Sequence, residues 1–246
     1  MARLVYGTSL WCLLTVVLAL LPSVPFLPSA YAETYIGGQL GLALPSVGKG
    51  LTDVELTSVS PPGAFSDRAL KTSPMYGAKL GFFLPTARWF GLETEIFNTT
   101  PHIKQQPATI TVPPGSTITL NGTRVAGGTA TGILGGDHLR VLTWAPINFM
   151  FRYPKARLQP YFGIGPGLFF ATVHSTNAAF PGSQSSTRLG LNFKAGAEYF
   201  ITRRLGVFGE WKYNHTRFYF KENDNQFGFN ASYNMHLVAF GLNYHF

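Results

Sequence analysis

Between Thr187 and Phe200 the side chains alternate so strictly that few folds remain open to the chain. Thr187, Leu189, Leu191, Phe193, Ala195, Ala197 and Tyr199 fall on one side; Arg188, Gly190, Asn192, Lys194, Gly196 and Glu198 fall on the other. Successive residues of a β-strand point to opposite faces, so the segment reads as a strand with one apolar and one polar face. The same pattern sets Val238, Phe240, Leu242, Tyr244 and Phe246 against Ala239, Gly241, Asn243 and His245. It also sets Leu139, Val141, Ala145, Ile147, Phe149 and Phe151 against Arg140, Asn148 and Arg152. Eight strands are predicted, over roughly 34–44, 75–84, 88–98, 138–152, 158–173, 187–200, 204–217 and 233–246.

The apolar faces need a suitable solvent. After residue 33 there is no run of eighteen apolar residues, so no membrane helix is available. Yet aromatic residues make up 15% of the chain and charged residues only 12%, against an ordinary charged share of about 25%. A transmembrane barrel reconciles these facts, because its strands need only about ten residues with every second one apolar. A soluble barrel with the apolar face inward is the second reading. Against it, Gly163, Gly165 and Gly167 share one face, as do Gly37 and Gly41, and charged residues accompany them on that polar face. Small residues suit a crowded interior. The fold class is therefore all-β: an eight-stranded antiparallel up-and-down transmembrane β-barrel.

The connections support this reading. Tight turns are expected around Pro85-Thr86-Ala87, Pro154-Lys155-Ala156 and Ile201-Thr202-Arg203, alternating with four long connections. Outer-membrane barrels carry short turns on the periplasmic rim and long loops outside. Within the loop at 99–137, Thr109 to Val112 and Thr117 to Leu120 flank Pro113-Pro114-Gly115-Ser116. That stretch is either a hairpin about those four residues or a polar loop without regular structure.

Residues 1–32 read as a cleaved signal peptide, leaving the barrel domain at 33–246. Arg3 is the only charge before Glu33, Leu10 to Leu21 form an apolar core, and Ala30-Tyr31-Ala32 is a small-residue cleavage site. The sole cysteine, Cys12, falls in the removed segment, so the mature chain is expected to hold no disulfide, metal thiolate or cysteine nucleophile. No cofactor or metal site is expected. The net charge of +8 is compatible with nucleic acid or an anionic membrane surface; the placement of the charges points to membrane lipid, and no nucleic acid is expected.

The mature chain resembles the OmpA/OmpX-type family of small outer-membrane barrels, transmembrane domain only. The resemblance rests on the signal peptide, on the run from Leu158 to Gly167 with its Pro160-Tyr161-Phe162-Gly163 core, and on the ending Tyr244-His245-Phe246. It implies an outer-membrane location among outer-membrane lipids. It also implies that the β-barrel assembly machinery reads Val238, Phe240, Leu242, Tyr244 and Phe246 as its C-terminal signal.

The charges divide into two groups. Lys79, Glu93, Glu95, Arg140, Arg188, Lys194, Glu198, Glu210 and Lys212 are expected on the inner face as an ion-pair network. A barrel of eight strands has room for little more than side chains, and buried charges must pair. If Leu84 opposes Arg88 across one turn and Phe200 opposes Arg204 across another, Lys79 meets Glu93 and Lys194 meets Glu210. The second group, Arg88, Lys155, Arg157, Arg203 and Arg204, forms a basic periplasmic rim facing anionic headgroups.

The reading of function is a non-enzymatic barrel with a structural or surface-interaction role, its long loops open to a surface ligand. Two alternatives stand beside it. One is a narrow channel. The other is a lipid A acyl hydrolase, since His174-Ser175-Thr176 resembles the His-x-Ser of lipid A deacylases, with Thr176 where that motif has Ser and without an outward carboxylate on the neighbouring strands.

Overall fold

The computed structural model describes residues 33–46, 50–120, 123–134, 136–175, 182–223 and 226–246. The predicted signal peptide lies outside the described residues. Eight strands close a barrel: β1 (Glu33–Pro45), β5 (Ser73–Phe83), β6 (Phe90–Thr99), β9 (His138–Arg152), β10 (Leu158–Ser175), β11 (Gly182–Phe200), β12 (Leu205–Phe220) and β13 (Phe229–His245). Each pairs antiparallel with its neighbours in that order, and β13 returns to β1. Among the described residues no helix is long and apolar enough to cross a membrane; the strands do so instead.

The alternation has the expected sense on most strands. Lys194 and Asn192 of β11 are fully buried, whereas Leu189, Leu191 and Tyr199 are exposed on the outside. From Leu189 to Tyr199, ten steps of about 3.3 Å on a tilted strand rise about 25 Å, the height of a transmembrane apolar band. Aromatic rings cluster outside near the short turns, where Phe151 stacks on Phe162 at 4.8 Å and Trp89 on Phe151 at 6.0 Å.

Strand β9 departs from its predicted faces. It carries one extra residue between Ala145 and Asn148, seen as a register shift against both β6 and β10. Pro146 sits at this bulge. It has no N–H to donate, so the ladder is interrupted where a bulge costs least. The Thr94 hydroxyl donates to the Ala145 carbonyl at 3.2 Å. As a result Leu139, Val141 and Ala145 point inward, while Ile147 and Phe149 point outward. Gly165 accommodates the bulge: a Cβ there would lie 2.0 Å from the Ile147 carbonyl oxygen.

Three short strands and a long two-stranded hairpin continue the sheet beyond the barrel on the loop side. Strand β2 (Gly50–Leu56) pairs with the upper part of β13 and with β3 (Gly63–Phe65) and β4 (Arg68–Ala69). Strand β3 pairs with β7 (Gln106–Leu120), and β7 with β8 (Thr123–Leu134). The loop at 99–137 is thus a hairpin, but not about Pro113-Pro114-Gly115-Ser116. Thr109–Val112 and Thr117–Leu120 both lie on β7 and pair with β8, and the four intervening residues form an irregularity within the strand. Asp53 takes a left-handed conformation (φ 51°) where β2 bulges against β13, a conformation that Asp tolerates better than most residues.

The lumen is filled by two different materials. Toward the loops lies an apolar core including Met75, Phe97, Leu139, Val141, Phe169, Phe218 and Tyr233, joined by Leu51, Val54, Leu70 and Ile103 from outside the barrel wall. Toward the turns the filling is mainly polar, with a small cluster of Tyr35, Phe83, Met150 and Tyr161 beside it.

Candidate functional site

The polar half of the lumen is built from six charged side chains on four strands. Lys79 comes from β5, Glu93 and Glu95 from β6, Lys194 from β11, and Glu210 and Lys212 from β12; all are buried. They form a closed ring of alternating sign. Lys79 Nζ lies 4.0 Å from Glu93 Oε2 and 3.3 Å from Glu210 Oε2. Lys194 pairs with Glu93 and lies 3.0 Å from Glu95 Oε1. Lys212 pairs with Glu95 and lies 3.1 Å from Glu210 Oε1.

Hydrogen bonds occupy further carboxylate oxygens. Tyr35 donates to Glu93 at 2.6 Å, Tyr161 to Glu210 at 2.8 Å and Asn192 to Glu95 at 2.7 Å. The β9 bulge turns Asn148 inward to reach Glu95 at 3.3 Å. The Lys79 ammonium sits 3.4 Å from the Phe208 ring centroid. Buried charge is costly unless it is paired and hydrogen-bonded, and this ring meets both demands while balancing to zero.

The geometry differs from the expected cross-strand pairs. In register, Lys79 opposes Glu95, and Lys194 opposes Lys212. Both turns are two residues longer than supposed: Leu84 N donates to Phe90 O, and Phe200 pairs with Gly206. Lys79 still comes within 4.0 Å of Glu93, but the expected Lys194–Glu210 pair is not made. Strands β6 and β12 stand four places apart round the barrel in either direction, so the Lys212–Glu95 bridge crosses the lumen. The charges close the barrel from wall to wall.

Three predicted members sit elsewhere. Arg140 lies on the outer face because of the β9 bulge, its Nε donating to Asn98 Oδ1 at 2.7 Å. Arg188 is exposed near the loops, its guanidinium 5.4 Å from the Tyr219 ring centroid. Glu198 belongs to a second cluster, which the sequence reading did not assemble. There Arg152 makes a fork on Glu33 at 2.7 and 2.5 Å, and His245 bridges Glu33 at 3.0 Å and Glu198 at 2.8 Å. Arg152 and His245 were legible as polar-face residues near strand ends; their meeting with Glu33 depends on closure of the barrel. Between the two clusters lies a cavity of about 10 Å³ lined by Tyr35, Lys79, Arg152 and Tyr161, about one water in size.

The rims carry the remaining candidates. Arg88, Lys155, Arg157, Arg203 and Arg204 all lie exposed in the short turns, and Arg88 is drawn to Glu33 at 3.8 Å. Phe240, Leu242, Tyr244 and Phe246 are exposed on the outer face, with Val238 half-buried in the same row. Near the loops, His174 faces outward with its Nδ1 2.8 Å from Ser183 Oγ; Thr176 lies outside the described residues. A histidine beside a hydroxyl is two parts of a hydrolytic triad, and no carboxylate contact of this pair is seen among the described residues. His102 and His138 stack edge-on at 4.5 Å. Burial, and then the adjacent His138, hold the His102 imidazole below its ordinary range.

The geometry agrees with the comparisons to known proteins. The family model described as outer membrane protein beta-barrel domain matches residues 14–246. The crystal structure of the outer membrane protein OprG from Pseudomonas aeruginosa is 14% identical, with a TM-score of 0.53, covering 87% of this chain and 96% of that chain; this likeness shows the fold. Neisserial surface protein A is 12% identical (TM-score 0.46, 87% of this chain and 97% of that chain). The outer membrane protease OmpT from Escherichia coli is 11% identical (TM-score 0.48, 87% and 97%). No curated protein matches the chain.

Proposed function

The chain belongs to the outer membrane protein beta-barrel domain family, and from that membership we propose that it is a closed, non-enzymatic barrel that carries a surface-binding platform. One observation carries the reading. The lumen is filled across its width by the six-charge ring and, above it, by the apolar core, while the loop side is ordered into β2, β3, β7 and β8. A filled lumen disfavours conduction, and an ordered extension offers a fixed surface to a partner. Residues 1–32 are removed after Ala32 in this reading, and the assembly machinery recognises the outward row Val238, Phe240, Leu242, Tyr244 and Phe246. The surrounding outer-membrane lipids are the other partners.

The test uses the full mature barrel in lipid nanodiscs against immobilised panels of glycans and extracellular matrix proteins, beside a variant whose residues 107–133 are replaced by a short turn. Binding that is lost with the hairpin is the expected result; identical profiles for the two proteins overturn the platform reading. The His174–Ser183 pair favours the hydrolase alternative. His174→Ala is expected to leave the acyl-chain profile of lipid A unchanged by mass spectrometry, and a change overturns the non-enzymatic reading.

A further inference from the structure

Four adjacent strands, β11, β12, β13 and β1, share two outward rows in register. Ala197, Gly209, Phe240 and Leu40 make one; Tyr199, Val207, Leu242 and Gly38 make the other. Phe240 (65%) and Leu40 (69%) stand far out from the wall, whereas Ala197, Gly209 and Gly38 have almost no side chain. The result is an open apolar groove of about 610 Å³ on the lipid face, lined by Leu40, Ala197, Tyr199, Val207, Phe240 and Leu242.

The groove runs toward a particular part of the turn rim. The turn joining its two strands β11 and β12 carries Arg203 and Arg204, both exposed. It is held by Thr202 Oγ1, which accepts from the backbone N–H of Arg204 at 3.2 Å and of Leu205 at 3.0 Å. The neighbouring turn is tied alongside by Phe200 N donating to the Arg157 carbonyl at 2.9 Å. Arg204 reaches Tyr244, on the same outer face, at 3.5 Å.

The exposed charge of these two turns is uncompensated. Glu33, at the turn end of β1, is already taken up by Arg152, His245 and Arg88. Among the described residues Arg157, Arg203 and Arg204 make no ion pair. In hydrocarbon an apolar groove gains nothing from the hydrophobic effect, so selectivity must come from the end where charge meets the headgroup. Guanidinium groups bind phosphate in a forked geometry that an ammonium cannot match.

We propose that this groove is a binding site for one anionic phospholipid of the periplasmic leaflet, its acyl chain between the Tyr199 and Phe240 ridges and its phosphate on Arg203, Arg204 and Arg157. The site rests on the turn rim facing the periplasm and not on the loop platform, so the two readings fail separately. Each basic residue near an anionic surface is worth about 1 kcal/mol, or about fivefold in affinity.

Trp211 lies one outward position beyond Gly209 and is 40% exposed, which makes it a reporter. In a Trp89→Phe, Trp144→Phe background, the barrel is reconstituted in phosphatidylcholine vesicles with a small fraction of bromine-chain phosphatidylglycerol or, separately, bromine-chain phosphatidylcholine. The phosphatidylglycerol is expected to quench Trp211 more strongly. Arg203→Gln with Arg204→Gln is expected to reduce that preference by about 25-fold, and Gly209→Leu to reduce quenching by the phosphatidylglycerol. Equal quenching by both lipids in the starting protein indicates an ordinary lipid shell and overturns the site. Insensitivity to both lipids together with inter-barrel crosslinks indicates a second copy in the groove and also overturns it. Heat-modifiable migration identifies variants that have folded. Should the arginine variant fail to fold, native mass spectrometry of the unaltered barrel decides: a retained phosphatidylglycerol adduct supports the site, and its absence overturns it.

Discussion

The two halves of the lumen face the same problem with opposite chemistry. Toward the loops, Phe97, Leu139, Phe169 and Phe218 pack as they would in a soluble core, and β2 and its neighbours add Leu51, Val54, Leu70 and Ile103 from above. Toward the turns, Glu93, Glu95, Glu210 and three lysines fill the same width by ionic contact. The apolar half draws on segments outside the barrel; the charged half is made almost wholly of barrel strands. The difference lies in tolerance. Apolar packing asks for volume, and many side chains supply it. A closed ionic ring asks for sign and reach at each of its six positions.

Matched isosteric changes break or sharpen that contrast. Glu95→Gln keeps the shape but leaves Lys194 and Lys212, which oppose each other across one pair of strands, without the carboxylate that separates them. The expected loss is about 3–5 kcal/mol, read from urea unfolding in phospholipid vesicles. Leu139→Met, in the apolar half, is expected to cost less than about 1.5 kcal/mol in the same assay. Equal losses would erase the distinction between the halves.

The smallest expected effect lies above the apolar half, at His102. Its folded-state pKa is lowered by burial and by His138, so the native state binds fewer protons than the unfolded chain. The stability it lends is therefore full above the ordinary histidine value of about 6.5 and declines as pH falls below it. Exchange of the Ile103 and Lys104 amides, which bond to Asp137 and Ala69 at 3.0 and 2.8 Å, is expected to gain an opening component between about pH 6.5 and 5. A flat pH response of that opening would remove the His102–His138 pair from the account.

Much of this was legible in period two. Alternation places Lys79, Lys194, Glu210 and Lys212 on the inner wall because a wrong face exposes charge to lipid. It says nothing about which side chains at one height meet across the lumen, so the ring escaped a reading that paired neighbours only. Register escaped as well, since a turn longer by two residues preserves the faces and exchanges the partners. Where alternation itself failed, at β9, the sign was Pro146 inside a strand, a residue that belongs at bulges and edges. The order of the loop side, with β2, β3 and β4 too short to show a period, comes from pairing onto β13 and leaves little local trace.

The contacts among Glu33, Arg152, Glu198 and His245 join the start of β1 to the end of β13, beside the bond from Phe246 N to the Thr34 carbonyl at 3.0 Å. This meeting sets an order in time. Hairpins such as β5–β6 and β11–β12 unite segments close in the chain and can form early; the seam needs both far ends and bears the largest loop-closure entropy. Until it shuts, β1 and β13 each present an open row of backbone donors and acceptors. The interval before closure is therefore the protein's period of greatest exposure to wrong partners, and the Glu33–His245 contact marks its end.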